Sequence, residues 1–188
     1  GSGKVFSDEV MARIIAYAAD PVNNPNTVPN ASGDRYQQYT GSNANTDWFD
    51  AMYKDVVSRQ QHNISLSGKQ NKVKYFLSGS FFDQDGIMEF GDDEYQRYTL
   101  NSKIDTEVND WFSMNANIRL SKTSIERPSY DRGLYLHNIA RRWPVNGIIM
   151  PNGSYSDGSE IPFVMDGGRY NNDNETTNAN LNFIFEPI

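Results

Sequence analysis

Phe112-Ser113-Met114-Asn115-Ala116-Asn117-Ile118-Arg119-Leu120 decides the fold. Every second side chain is apolar, and every one between is polar, which is the period of an extended strand with two unlike faces. Phe112, Met114, Ala116, Ile118 and Leu120 face one way; Ser113, Asn115, Asn117 and Arg119 face the other. An α-helix would scatter both sets around its axis.

The same period extends through the neighbouring sequence. Upstream, Ile64 and Leu66 alternate with Asn63, Ser65 and Ser67, and Val73, Tyr75, Leu77, Gly79 and Phe81 form one face of a second run. The opposite face of that run, with Lys74, Phe76, Ser78, Ser80 and Phe82, is mixed. A third run sets Tyr98, Leu100 and Ile104 against Arg97, Thr99, Asn101 and Lys103. A last one sets Thr177, Ala179, Leu181, Phe183 and Phe185 against Asn178, Asn180 and Asn182. The fold class expected is mainly β with short N-terminal helices: an antiparallel β-meander of about five strands with long loops, derived from a transmembrane β-barrel.

Two features favour a barrel wall over a one-sided sheet on a soluble core. The runs approach the roughly 10 residues of a membrane strand, against the usual five or six. Connections also alternate, with tight turns near 68–71 and 107–110 and long loops at 83–94 and 123–175. Short turns on the periplasmic side and long loops outside are what such a barrel has. The organisation expected is an outer loop region with one or two short helices at 1–61, antiparallel strands at 62–122, a long outer loop at 123–175 and a returning strand at 176–188. In the first region Ser7 is an N-cap for a helix over 8–19, Asp20-Pro21 ends it, and 47–57 is a second short helical pattern.

Composition narrows the function. The 188 residues carry a formal net charge of -7, 37% hydrophobic and 13% aromatic residues and no Cys; the pI is near 4.8 and the mean hydropathy -0.70. An acidic chain without clustered Lys and Arg is a poor partner for a nucleic-acid backbone. Disulfides, thiolate metal sites and a Cys nucleophile are excluded. No apolar run reaches the length of about 18 residues that a membrane helix needs, which leaves membrane strands open. Gly1-Ser2-Gly3 reads as a cloning remnant, so the chain is expected to be an excised piece of a larger protein.

Asn45-Thr46-Asp47-Trp48 with its following aromatic, Gln61-His62-Asn63-Ile64-Ser65-Leu66-Ser67-Gly68, and Tyr75-Phe76-Leu77-Ser78-Gly79-Ser80 leading to Asp83-Gln84-Asp85-Gly86-Ile87 stand in a fixed order. Tyr95-Gln96-Arg97-Tyr98 with Asn101, and later Asp110-Trp111, continue it. In these motifs the chain resembles the SusC/RagA class of TonB-dependent outer-membrane transporters of Bacteroidetes. The resemblance implies a parent with an N-terminal plug inside a barrel of about 22 strands, importing glycans or peptides with a SusD-like lipoprotein lid and the TonB system. The chain would be a plugless piece of its early wall, the parent lying in the outer membrane, the isolated piece soluble and prone to self-association. The alternative is a soluble surface carbohydrate-binding β-module; a secreted glycan hydrolase is a third, weaker reading.

Candidate ligand-binding residues are the loop aromatics Tyr36, Tyr39, Tyr130, Tyr135, Trp143, Tyr155 and Tyr170, whose rings could stack on sugar C–H faces or pack the loops themselves. Trp48, Trp111, Tyr75, Tyr95 and Tyr98 would suit an aromatic girdle at the membrane interface. Arg97, Lys103, Asn115, Asn117 and Arg119 would contact a plug or line the path. Asp83, Asp85, Asp92, Asp93 and Glu94 lack the full Ca²⁺-loop pattern and read as a solvated acidic turn. His62 and His137 have no metal-ligand spacing, and no Gly-x-Ser-x-Gly elbow occurs. No catalytic residue, metal or cofactor is expected. The apolar positions Leu77, Met114, Ile118 and Phe183 would need a cover in water, from helices or a second copy.

Overall fold

The computed structural model describes residues 4–156 and 158–186. Five strands make one sheet in sequence order: β1 (Arg59–Gln70), β2 (Val73–Asp85), β3 (Glu94–Asn109), β4 (Phe112–Pro128) and β5 (Arg169–Phe185). β1 to β4 pair antiparallel, Leu66 opposite Leu77, Leu77 opposite Ser102 and Ser102 opposite Ile118. β5 also runs against β4: Asp173 meets Ser124, Glu175 meets Lys122 and Asn182 meets Asn115. The molecule is the expected antiparallel meander with a few short helices.

The strands are longer than the hydrophobic alternation marks. β1 begins at Arg59 rather than 62, β4 continues to Pro128 rather than 122, and β5 begins at Arg169 rather than 176. The added ends are mostly polar on both faces, with Ile125 and Tyr170 as exceptions, so they show no apolar alternation, and ladder hydrogen bonds extend them. The connections therefore shorten. β1 turns into β2 through Asn71-Lys72, with Asn71 in the left-handed region (φ 53) that its short side chain tolerates, and β3 turns into β4 through Asp110-Trp111.

The chain divides into two compact units. One is the sheet: Val56–Gly86, Asp92–Arg127 and Tyr170–Ile188. Register and alternation give it two unlike faces. One carries an apolar belt from Phe112 to Leu120 on β4, matched by Leu77 on β2, Leu100 and Ile104 on β3 and Leu181 on β5. Phe112, Phe183 and Phe185 stack at the turn end of the belt. At the other end His62, Phe81 and Tyr98 lie side by side across three strands. Phe112 to Leu120 covers about 27 Å of strand, which a tilt of about 40° reduces to about 21 Å, close to the roughly 25 Å apolar band of an outer-membrane barrel. Ile64, Leu66, Leu77, Ile118, Leu181 and Phe183 are all exposed. The cover expected for this face is not supplied by the described residues.

The other unit gathers Gly1–Asp55, Ile87–Gly91 and Pro128–Arg169. The segments before β1, between β2 and β3, and between β4 and β5 thus fold together, where the sequence was read as outer loops with one or two short helices. It holds α1 (Asp8–Ala19), α2 (Trp48–Met52), α3 (Arg132–Arg141) and α4 (Ile161–Asp166). Ser7 caps α1 by accepting from the Val10 N–H, and Asp131 caps α3 through Leu134. Trp48, Met52, Tyr135, Ile139, Ile161 and Val164 form its core. α4 carries no pattern long enough to read, and it folds because Ile161 and Val164 complete that core at zero exposure.

Candidate functional site

The Thr46-Asp47-Trp48 motif is a structural clasp. Thr46 donates its backbone N–H to the Pro144 carbonyl (2.7 Å) and its hydroxyl to the Asn146 carbonyl (2.7 Å), pinning two distant segments together. Asp47 caps α2 by accepting from the Phe49 and Asp50 N–H groups at 3.0 and 3.2 Å. Trp48 enters the core, and its indole N–H donates to the Trp143 carbonyl at 3.0 Å. Trp48 is 4% exposed, which removes it from the girdle expected at the membrane interface. Its position inside a capped helix sends the ring inward.

The seven loop aromatics separate by burial. Tyr36 and Tyr135 are buried. The Tyr36 hydroxyl donates to the Gly147 carbonyl (2.7 Å) and lies 3.0 Å from Ser156 Oγ; that of Tyr135 donates to the Met52 carbonyl (3.0 Å). These rings hold segments together and offer no open face. Tyr130 is half-buried between Tyr135 and the exposed Phe163, at centroid distances of 6.4 and 6.0 Å.

Tyr39 and Trp143 come together. They meet edge-on at 5.4 Å, and Phe6 sits 5.3 Å from Trp143 and 6.5 Å from Tyr39. Tyr39 is 49% exposed while Trp143 and Phe6 are half-buried, so the triad presents aromatic surface that is partly fixed by neighbours. Phe6, unremarked in the sequence, is its third member; it precedes a helix cap and so carried no periodic signal. Tyr155 packs edge-on to Phe90 at 5.3 Å, apart from the triad. Tyr170 lies on the sheet, where the Arg127 guanidinium stands 4.2 Å above its ring.

On the sheet, register places Arg97, Lys103, Asn115, Asn117 and Arg119 on the face opposite the apolar belt. Asn101 donates to Ser78 Oγ at 3.2 Å and Asn182 to Asn115 Oδ1 at 2.8 Å, so amides pair from strand to strand. The same face holds Phe82, with Arg59 and Arg97 guanidinium carbons 5.8 and 5.5 Å from its ring centre and Tyr95 edge-on at 5.7 Å. Tyr75 and Tyr98 lie on the belt face and Tyr95 does not. Phe82 had signalled only a mixed strand face.

Among the described residues, no group of three or more His, Asp or Glu side chains is arranged to hold a metal ion. His62 stacks on Phe81, and His137 accepts from Arg141 at 2.9 Å. Asp83 accepts from Gln60 at 2.9 Å, and Glu94 from Gln96.

No family model matches the chain. Over 128 residues, 64% of the chain and 12% of the relative, it is 27% identical to TonB-dependent receptor P3 of Formosa agariphila. Over 102 residues, 54% of the chain and 9% of the relative, it is 28% identical to TonB-dependent receptor P39 of the same organism. The chain spans about a tenth of the length of these curated relatives.

Proposed function

We propose, from this relationship to TonB-dependent receptors of a Bacteroidetes bacterium, that the chain is part of the early barrel wall and outer loops of an outer-membrane importer of the SusC-like kind. The observation that carries the reading is the sheet: a belt about as tall as an outer-membrane band on one face, an Asn- and Arg-lined face on the other, and two-residue turns at one end only. The parent would import an oligosaccharide or peptide without transforming it, energised through TonB and working with a SusD-like lipoprotein. The exposed parts of the Phe6, Tyr39 and Trp143 triad and of Tyr155 would meet cargo, while Tyr36, Tyr130 and Tyr135 hold the loops that present them.

Fractionation of the parent bacterium tests this directly. The full-length protein should be recovered in the outer membrane, and cargo uptake should stop when TonB is deleted. Recovery of the protein in the soluble fraction, or uptake indifferent to TonB, would sink it.

A further inference from the structure

The charged side chains at the long-loop end of the sheet are sorted by face. On the belt side, from His62, Phe81 and Tyr98 outward, lie Asp83, Asp85, Glu94, Glu126, Asp173 and Glu175, against Lys122 and Arg169 as the cations among the described residues. On the polar side of the same half lie Arg59, Arg97, Arg119 and Arg127, and among the described residues no carboxylate. In a chain of net charge -7 this is a local reversal.

The arginines are also placed. Arg59 and Arg97 come from strands on either side of β2, and both bring their guanidinium carbons within 6 Å of the Phe82 ring, at 5.8 and 5.5 Å. Two like charges at one ring repel each other, and among the described residues no carboxylate lies on their half of that face. Arg59, Arg97 and Arg119 are all exposed. A guanidinium offers a planar fork of donors that matches a carboxylate or sulfate, and a neighbouring ring offers the apolar face on which a sugar's C–H groups rest. The wall beside them is built of neutral amides and hydroxyls, Asn63, Asn101, Asn174 and Asn178 with Ser78 and Ser80, which pair with sugar hydroxyls in either direction.

We propose that this half of the polar face, built on Arg59, Arg97, Arg119 and the Phe82 ring, binds acidic sugar units, carboxylate- or sulfate-bearing, of a glycan cargo. The proposal rests on the importer reading and narrows its cargo. The carboxylates on the opposite face would repel the same ligand, so only one side of the sheet is suited to it.

Calorimetry on the detergent-solubilised full-length protein tests the proposal, with trigalacturonate, its methyl ester, a sulfated galactose trisaccharide and a triglutamate peptide as probes. At least one acidic sugar should bind ten-fold or more tighter than the uncharged ester, and added salt should weaken it. The double variant Arg59→Gln/Arg97→Gln should weaken that ligand about 30- to 100-fold and leave the ester unchanged, since each lost charge-assisted bond is worth about a factor of ten. Arg119→Gln alone should cost about ten-fold. All three positions are exposed, and unchanged heat-modifiability of the barrel on gels confirms that the variants fold. Whether galacturonate or the sulfated sugar answers identifies the anion. The proposal is overturned if the ester binds as tightly as the acid, if the variants keep full affinity, or if only the peptide binds. Outer-membrane recovery and TonB-dependent uptake of a neutral glycan would survive that failure, so the two readings fail separately.

Discussion

Arg142 Nη2 donates to both carboxylate oxygens of Glu160, at 2.6 and 2.7 Å, and the two side chains are only 11% and 6% exposed. The guanidinium also stands 5.0 Å from the centre of the Trp48 ring. One ion pair thus ties the residue after α3 to the residue before α4 and lays its cation over the Trp48 core. Such a pair adds little over a well-packed apolar substitute, but removing one partner strands a buried charge. Glu160→Ala should destabilise the helical unit by about 3–5 kcal/mol. Urea unfolding followed by tryptophan fluorescence in a Trp111→Phe background, which leaves Trp48 and Trp143 of the helical unit, measures it, and a loss under about 1 kcal/mol would refute a buried, uncompensated guanidinium.

Gly91 adopts φ +69, and a Cβ there would lie 2.5 Å from the Val164 carbonyl oxygen and 2.8 Å from Pro128 Cγ. Gly91→Ala combines a left-handed backbone with a backbone clash, so a loss of about 1–3 kcal/mol is expected in the same assay. Gly153→Ala is the contrast. It has φ +85 and open space around it, so only the backbone cost of about 1 kcal/mol applies.

The two faces of β4 should respond oppositely to charge. Ile118→Arg places a guanidinium in the apolar belt and should cost about 2–4 kcal/mol if that belt meets lipid. Asn117→Arg, one residue away on the polar face, should be nearly neutral. Outer-membrane assembly of the full-length protein, read as heat-modifiable migration, separates them. Equal tolerance of both changes would mean that the belt does not face hydrocarbon.

Asp20 offers a pH test in the helical unit. Its carboxylate accepts from the Asn23 side chain at 2.7 Å and from the Asn23 and Val22 backbone N–H groups at 3.1 and 3.2 Å. Those bonds, the Asn23 side chain first, hold the carboxyl below its ordinary 3.8. A depressed folded-state value means that the turn's contribution is present above the unfolded value and is lost as pH falls through the folded one. The Asn23 amide resonance should therefore hold its position at neutral pH and titrate with a midpoint below the ordinary 3.8. A midpoint above 3.8 would contradict the hydrogen bonding.

How much was legible in the sequence follows from which force shaped each part. The middle of β4 was readable because a two-faced strand writes its burial directly into every second residue. Arg59, Gln60 and Gln61 were not read as strand, since ladder hydrogen bonds form whatever the side chain. α1 was visible from Ser7 and from the spacing of Val10, Ile14, Tyr17 and Ala18, yet of these only Val10 is fully buried. The compact unit around Trp48 was invisible for another reason: its core residues, from Trp48 to Val164, come from segments more than a hundred positions apart and have no common period. The loop aromatics were singled out as one class, and the structure divides them by burial. Which of them pack and which reach solvent depends on partners such as Gly147 and Met52, whose carbonyls no local pattern announces.

Beside Asp110-Trp111 the ladder already shifts register between Glu107 and Asn109, whereas the turn Asn71-Lys72 has no slack. One inserted residue would flip a whole strand, sending belt side chains to the polar face and Asn side chains toward the belt. At the other end, extra length costs little, because closing a longer loop adds free energy only logarithmically. Insertion and deletion can therefore rewrite the long-loop end of the sheet, whereas the Asn71 turn admits only point substitution. Grafted epitopes or reporter peptides should be accepted at the exposed Asn152-Gly153 turn and rejected at Asn71.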